Sequence, residues 1–74
     1  MDQRSRAVRA MLRGMAPAAS IPYIQSFRLP EDEERVLIEC DARRRSVQQV
    51  AQELSLSPET VWRRRQSALK KLHT

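Results

Sequence analysis

Glycine, cysteine and aromatic side chains are scarce in this 74-residue chain. The sequence contains one glycine, one cysteine and one each of tryptophan, tyrosine and phenylalanine. Strands favour aromatic residues and tight hairpins favour glycine, so this composition disfavours a β-sheet fold. A single cysteine excludes an internal disulfide, which suits a reducing cytoplasm. We therefore expect a small, cytoplasmic, all-α domain with four to five short helices and one modest core.

Side chains that build catalytic and metal sites are scarce as well. The single histidine, His73, lies next to the C-terminal end, and one histidine with one cysteine cannot form a zinc site. The sequence contains no glycine-rich phosphate loop and no nucleophile–base pair. No stretch approaches the ~20 apolar residues that span a membrane, and no apolar run follows the N-terminal arginines as in a secretory signal. We expect no enzyme activity, no cofactor, no metal and no membrane partner.

Positive charge is concentrated in the second half of the chain. Residues 1–41 contain six arginines and seven acidic residues, whereas residues 42–74 contain eight lysines and arginines and two acidic residues. Such an excess predicts that the second half binds a polyanion. A membrane surface would attract the same charge, but the last helix lacks the strong apolar face of an interfacial anchor.

The C-terminal third of the chain has the pattern of two helices joined by a tight turn. Ser46 and Gln49 are spaced as a capping box at the start of the first helix. Ser57 then supplies a second N-cap, and Pro58 occupies the first position of the next helix. This order predicts a helix-turn-helix whose second helix, residues 58–72, is the recognition helix.

The recognition helix has one polar and one apolar side on a helical wheel. The polar side comprises Glu59, Thr60, Arg63, Ser67 and Lys70, and the apolar side comprises Val61, Ala68, Leu69 and Leu72, with Trp62 at its edge. A solvated face is the usual interpretation of such a polar set, but the preceding turn favours a face that reads a DNA groove. Arg65 falls within the apolar arc. We expect its stem to pack there while its head either reaches solvent or pairs with an acid of the preceding helices.

A run of motifs resembles region four of bacterial RNA polymerase sigma factors. The matching residues are Leu29-Pro30-Glu31, Val36-Leu37, Ser46 through Ala51, Glu53-Leu54, Leu56-Ser57, Thr60-Val61 and Ala68 through Leu72. The resemblance divides the chain into an N-terminal helical extension, residues 1–28, and a region-4-like domain, residues 29–74. It implies sequence-specific double-stranded DNA binding in bacterial transcription regulation, with RNA polymerase as a second partner.

The chain departs from the pattern of that family at three places. Ser55 stands where the family often has glycine, Arg44-Arg45 where it often has a Gly-Leu pair, and Arg65 where it often has leucine. A serine in a left-handed turn costs about 1 kcal/mol relative to glycine, which a domain tolerates.

The resemblance assigns base reading to Pro58, Glu59, Thr60 and Arg63. Arg63 can bond guanine bidentately, Glu59 can accept from cytosine, and Thr60 can contact a thymine methyl group. Pro58 offers only apolar contact. The phosphate candidates are Arg43, Arg44, Arg45, Ser46, Ser57, Arg64 and Lys70. The three consecutive arginines also suit a helix C-terminus, and the two interpretations are compatible.

The N-terminal extension is predicted to begin with a helix from Asp2 to Met15. Its apolar stripe comprises Val8, Met11, Leu12 and Met15. This stripe either packs on the main domain, which we favour, or binds a partner such as a second copy in a homodimer. On the rest of that helix, Arg6, Arg9 and Arg13 either contact phosphates or are solvated.

The middle of the chain is predicted to contain a linker and two further helices. Residues 16–20 form the linker, Ser20 caps a short helix with Pro22 near its start, and a third helix starts at Pro30. The acids at 31–34 suit the dipole of that helix better than acid–base chemistry. Its buried stripe is predicted to comprise Val36, Leu37 and Cys40.

Two function classes follow from the sequence. The first is a DNA-binding regulator; in a chain too short for the strand-opening domain of a sigma factor, we expect a small regulator such as phages or mobile elements carry. The alternative is a protein-interaction module that docks on RNA polymerase or self-associates without reading DNA.

Overall fold

The computed structural model describes residues 3–72, which form five helices and no strand. The helices are α1 (Gln3–Gly14), α2 (Pro17–Gln25), α3 (Glu31–Leu37), α4 (Val47–Leu54) and α5 (Pro58–Leu72), and a π-helical turn (Ile38–Ala42) continues α3. The all-α prediction is confirmed. The predictions for Asp2 and His73 lie outside the described residues.

The predicted linker at residues 16–20 is wrong, because α2 already begins at Pro17. Ala16 is the N-cap in an extended conformation, Ser20 is buried inside the helix rather than capping it, and Pro22 lies in the helix interior. Pro17 has a φ angle suited to the first turn, where its missing N–H is not needed. The proline signal therefore determines the start of this helix, and the serine signal does not.

The π-helical turn after α3 directs three consecutive side chains inward. The backbone N–H of Arg43 donates to the carbonyl oxygen of Ile38 at 2.9 Å, which is the i to i−5 pattern of a π-helix. Cys40, Asp41 and Ala42 are all buried there. The predicted stripe of Val36, Leu37 and Cys40 is confirmed, although α3 begins one residue later than expected, with Pro30 as its N-cap.

Helix α1 packs against the end of α5 through part of its apolar stripe. Val8 and Leu12 are buried in one core cluster with Leu69 and Leu72, and Met15 packs against that cluster. The packing interpretation is therefore confirmed for these residues. Met11 differs: it is 43 % exposed, because it lies at the edge of the narrow arc that the other three define. The extension thus shares its apolar core with the recognition helix.

Within the part of the chain that the structure describes, three residues other than glycine adopt positive φ angles, each after the end of a helix. These are Arg28 at 51°, Arg44 at 58° and Ser55 at 57°. Arg44 and Ser55 are two of the departures noted above, so the backbone keeps the left-handed geometry that glycine would adopt. Each substitution costs about 1 kcal/mol relative to glycine and leaves the turn intact.

Candidate nucleic-acid interface

Side-chain caps set the start of both helices of the helix-turn-helix. The backbone N–H of Gln49 donates to Ser46 Oγ at 3.1 Å, and the N–H of Ser46 donates to Gln49 Oε1 at 3.0 Å. Ser57 Oγ accepts from the backbone N–H of Thr60 at 3.1 Å. Both predicted caps are confirmed, and each satisfies N–H groups that the first helical turn leaves open.

The two helices are held at their crossing by small and branched apolar side chains. Val50, Ala51 and Val61 are buried together with one residue of α3 and one of the π-helical turn, and Leu56 packs against them from the turn. The N–H of Leu56 donates to the carbonyl oxygen of Ala51 at 2.8 Å, which closes the turn. A side chain as small as Ala51 lets the helices approach.

The predicted base-reading residues lie on the first two turns of α5. Pro58, Glu59 and Arg63 are exposed, and Thr60 is half-buried, with its hydroxyl 2.8 Å from Ser57 Oγ. Glu59 and Arg63 form an ion pair one helical turn apart, and their side chains are 72 % and 69 % exposed. Such an exposed pair contributes only ~0–1 kcal/mol, so either side chain can leave it for a base edge at little cost.

Two of the phosphate candidates, which precede α4 in the chain, pair with carboxylates of the π-helical turn and of α4. Arg43 Nε lies 3.5 Å from Glu39 Oε2, and Arg45 Nη1 lies 3.0 Å from Glu39 Oε1 and also pairs with Glu53. The hydrogen bond to Glu39 raises the pKa of Arg45. These arginines suit the helix end and face solvent, so both sequence interpretations still apply to them.

The other phosphate candidates are unequally placed. Arg44 and Lys70 are exposed, and Arg44 donates to the carbonyl oxygen of Arg13. Arg64 Nε lies 3.3 Å from Asp32 Oδ2, in a groove that Glu31 also lines. Neighbouring carboxylates repel a phosphate, which weakens Arg64 as a candidate.

Asp41 lies at the centre of a cluster of arginines, which the sequence analysis did not predict. It is fully buried, and Arg65 binds it bidentately, with Nε 3.0 Å from Oδ2 and Nη2 3.0 Å from Oδ1. Arg9 Nε adds a bond to Oδ1 at 3.1 Å, and Arg13 Nε lies 3.5 Å from the same atom. The pairing alternative for Arg65 is confirmed, and its exposure of 5 % excludes the solvent alternative. Arg65 within the apolar arc was the available signal, because a guanidinium that does not reach solvent requires a buried partner.

Cys40 is a core residue in the structure. It is buried beside Val50 and Val61, and burial raises the pKa of its thiol, which disfavours the reactive thiolate. Within residues 3–72 no three histidine, cysteine or acidic side chains are placed to hold a metal ion. In the same range, no helix is both long and apolar enough to cross a membrane.

A groove of about 500 Å³ opens between α1, α4 and α5, and we call it the α1/α4/α5 groove. Its lining comprises Arg9, Arg13, Arg45, Ser46, Val47, Gln48, Pro58, Glu59, Trp62 and Arg65. Trp62 is 48 % exposed there. The sequence placed Trp62 at the edge of the apolar face but carried no signal for this groove, since α1 is far from α5 in the chain.

Comparison with known proteins agrees with this geometry. The family model described as "Sigma-70, region 4" matches residues 28–72. No curated protein and no solved structure matches the chain. Region 4 is a DNA-binding helix-turn-helix domain that acts in transcription. Because this match covers more than half of the sequence and includes the whole helix-turn-helix, the chain belongs to the sigma-70 region 4 family.

Proposed function

We propose that this protein binds double-stranded DNA sequence-specifically in bacterial transcription regulation, with α5 in the major groove. The observation that supports this most directly is the exposed N-terminal face of α5. Pro58, Glu59 and Arg63 project from a helix whose start is fixed by Ser57 and whose back is buried through Val61. A helix presented in this way fits the width of the major groove of B-DNA.

In the proposed complex, base reading and phosphate binding are separate tasks. Arg63 bonds guanine bidentately after leaving Glu59, and Glu59 then accepts from a cytosine amino group, while Thr60 contacts a thymine methyl group. Arg43, Arg44, Arg45 and Lys70 contact phosphates, together with the helix N-termini at Ser46 and Ser57. RNA polymerase is the proposed protein partner, because the family to which the chain belongs works with it.

A salt titration on specific and random duplexes tests this division of tasks. A bidentate base contact contributes about 1–3 kcal/mol of discrimination, whereas a phosphate contact strengthens binding to every sequence. Arg63→Ala should weaken the preferred site more than random DNA and flatten the preference at one position. Lys70→Ala should weaken both alike and reduce the slope of log affinity against log salt by roughly one.

Arg35→Ala is the matched control, because it removes an exposed charge from α3, a helix to which the proposal assigns no DNA contact. This variant should change neither the preference for the specific duplex nor the slope of log affinity against log salt. Equal losses on both duplexes for Arg63→Ala would mean that Arg63 only contacts the backbone. If the wild-type protein binds no duplex even at low salt, DNA reading is wrong, and binding to purified RNA polymerase or self-association would favour the interaction-module alternative.

A further inference from the structure

Asp41 has more cationic partners than its single charge balances. Arg65 engages both of its oxygens, Arg9 adds one bond, and Arg13 lies at the longer distance of 3.5 Å. Three guanidinium groups around one carboxylate leave a local surplus of two positive charges. Arg65 is buried, whereas the Arg9 and Arg13 side chains are 32 % and 44 % exposed, so the surplus faces solvent through α1.

This surplus lies beside the proposed recognition surface. Arg9 and Arg13 line the α1/α4/α5 groove, whose other walls are the first residues of α4, from Ser46, and of α5, from Pro58. The N-termini of both helices of the helix-turn-helix therefore open onto the same groove as the two arginines. Their N–H groups carry partial positive charge, which adds to the field of the arginines.

The remaining charges of the groove come close to cancelling. Arg45 is paired with Glu39 and Glu53, and Glu59 is paired with Arg63. The net attraction for an anion therefore originates mainly from α1. A guanidinium presents several N–H donors in a plane, which suits the oxygens of a phosphate. The indole of Trp62, half-exposed in the groove, offers an apolar face and one N–H donor to the sugar-phosphate chain beside it.

We propose that the α1/α4/α5 groove binds the phosphate backbone of DNA next to the recognised element, through Arg9 and Arg13. Helix α1 lies outside the family match at residues 28–72, so this contact extends the footprint beyond that of the helix-turn-helix. The inference depends on the proposed function, because it assumes that α5 occupies the major groove. Asp41 then has a second role as a positioning residue, since it holds both arginines at the rim of the groove.

The test compares Arg9→Gln/Arg13→Gln with Arg4→Gln/Arg6→Gln, a control pair of equal charge on the same helix but outside the groove. The groove variant should bind specific and random duplexes more weakly by the same factor, on the order of ten-fold, and its salt slope should fall by about two. The control pair should retain most of the wild-type affinity and most of the wild-type salt slope. Quenching of Trp62, the single tryptophan, should accompany binding by the wild type.

Phosphate neutralisation gives a second readout that a loss of stability would not mimic. In a methylphosphonate scan of the duplex, neutral linkages beside the element should weaken the wild type but not the groove variant. If the double variant unfolds, Arg13→Gln is used alone, because its contact with Asp41 is the longest, and the slope should then fall by about one. Suppose that the groove variant still prefers its site and has the salt slope and the methylphosphonate scan of the wild type. That result would overturn the groove contact and leave the proposed function intact. Failure of the wild type to bind any duplex would overturn both.

Discussion

Replacing Arg65 with leucine should strongly destabilise the protein. Arg65 contributes two of the three short bonds to Asp41, and both side chains are buried. Leucine is the residue that the family often has at this position, and it adds apolar area. The substitution nevertheless leaves the Asp41 carboxylate without its main partner. An uncompensated buried charge outweighs the gain from one apolar side chain.

The magnitude follows from what remains around Asp41. Removing one partner of a buried ion pair typically costs 3–5 kcal/mol, and the retained contacts of Arg9 and Arg13 reduce the expected loss to about 2–4 kcal/mol. A domain of 74 residues has a free energy of unfolding of about 4–11 kcal/mol. The variant should therefore retain only part of its stability, and its Tm should fall on the order of 10–30 °C.

Urea unfolding followed by helical circular dichroism measures this loss. Arg64→Leu is the matched control, because Arg64 is the neighbouring arginine in the sequence and pairs with Asp32 at the surface. Such a surface pair contributes ~0–1 kcal/mol. Combining Arg65→Leu with Asp41→Asn should restore part of the stability, since the buried charge is then removed and Arg9 and Arg13 can turn to solvent. A loss below about 1 kcal/mol for Arg65→Leu alone would refute the role of Asp41 as a buried charge that needs Arg65. In the folded fraction DNA binding should persist; its complete loss would make Arg65 a DNA contact.

Two further predictions concern the local geometry of the helix-turn-helix. Ser55→Gly should be neutral or stabilising by up to ~1 kcal/mol, because glycine adopts a φ angle of 57° without strain; a lower Tm in a thermal melt would contradict this. Ser46→Ala should cost about 1 kcal/mol, because it removes the acceptor for the N–H of Gln49. Unchanged urea unfolding in Ser46→Ala would show that the capping box contributes nothing, and Ser46→Gly, which retains most capping preference, is the control.

Local signals carried most of what could be predicted from the sequence. The caps at Ser46 and Ser57 and the left-handed turn at Ser55 depend on residues within four positions of one another, so their pattern is visible in the sequence. The start of α2 was mispredicted where two local signals competed, a serine at position 20 and a proline at position 17. Proline acts through a fixed backbone angle whatever its surroundings, whereas a serine caps a helix only if its own backbone is extended, and Ser20 is helical.

The centre at Asp41 could not be predicted, because its partners are distant in sequence. Arg65 is 24 positions and Arg9 is 32 positions from Asp41. The π-helical turn that directs Asp41 inward also breaks the helical period on which burial was predicted, so no regular pattern marked it. The position of Arg65 in the apolar arc of α5 predicted either a head that reaches solvent or a pairing with an acid of the preceding helices, and it did not indicate which acid.

Ion pairs in the folded chain reduce the charge difference between its two halves. Acids of the first half neutralise cations of the second: Glu33 pairs with Lys71 at 2.9 Å, Asp32 with Arg64, and Asp41 with Arg65. The basic half therefore loses much of the surplus that predicted a polyanion partner. Arg9 and Arg13, from the half that is slightly acidic in sequence, carry a surplus beside the N-termini of α4 and α5. Net charge thus predicts the class of partner, but the ion pairs of the folded chain decide which side chains remain available to attract it.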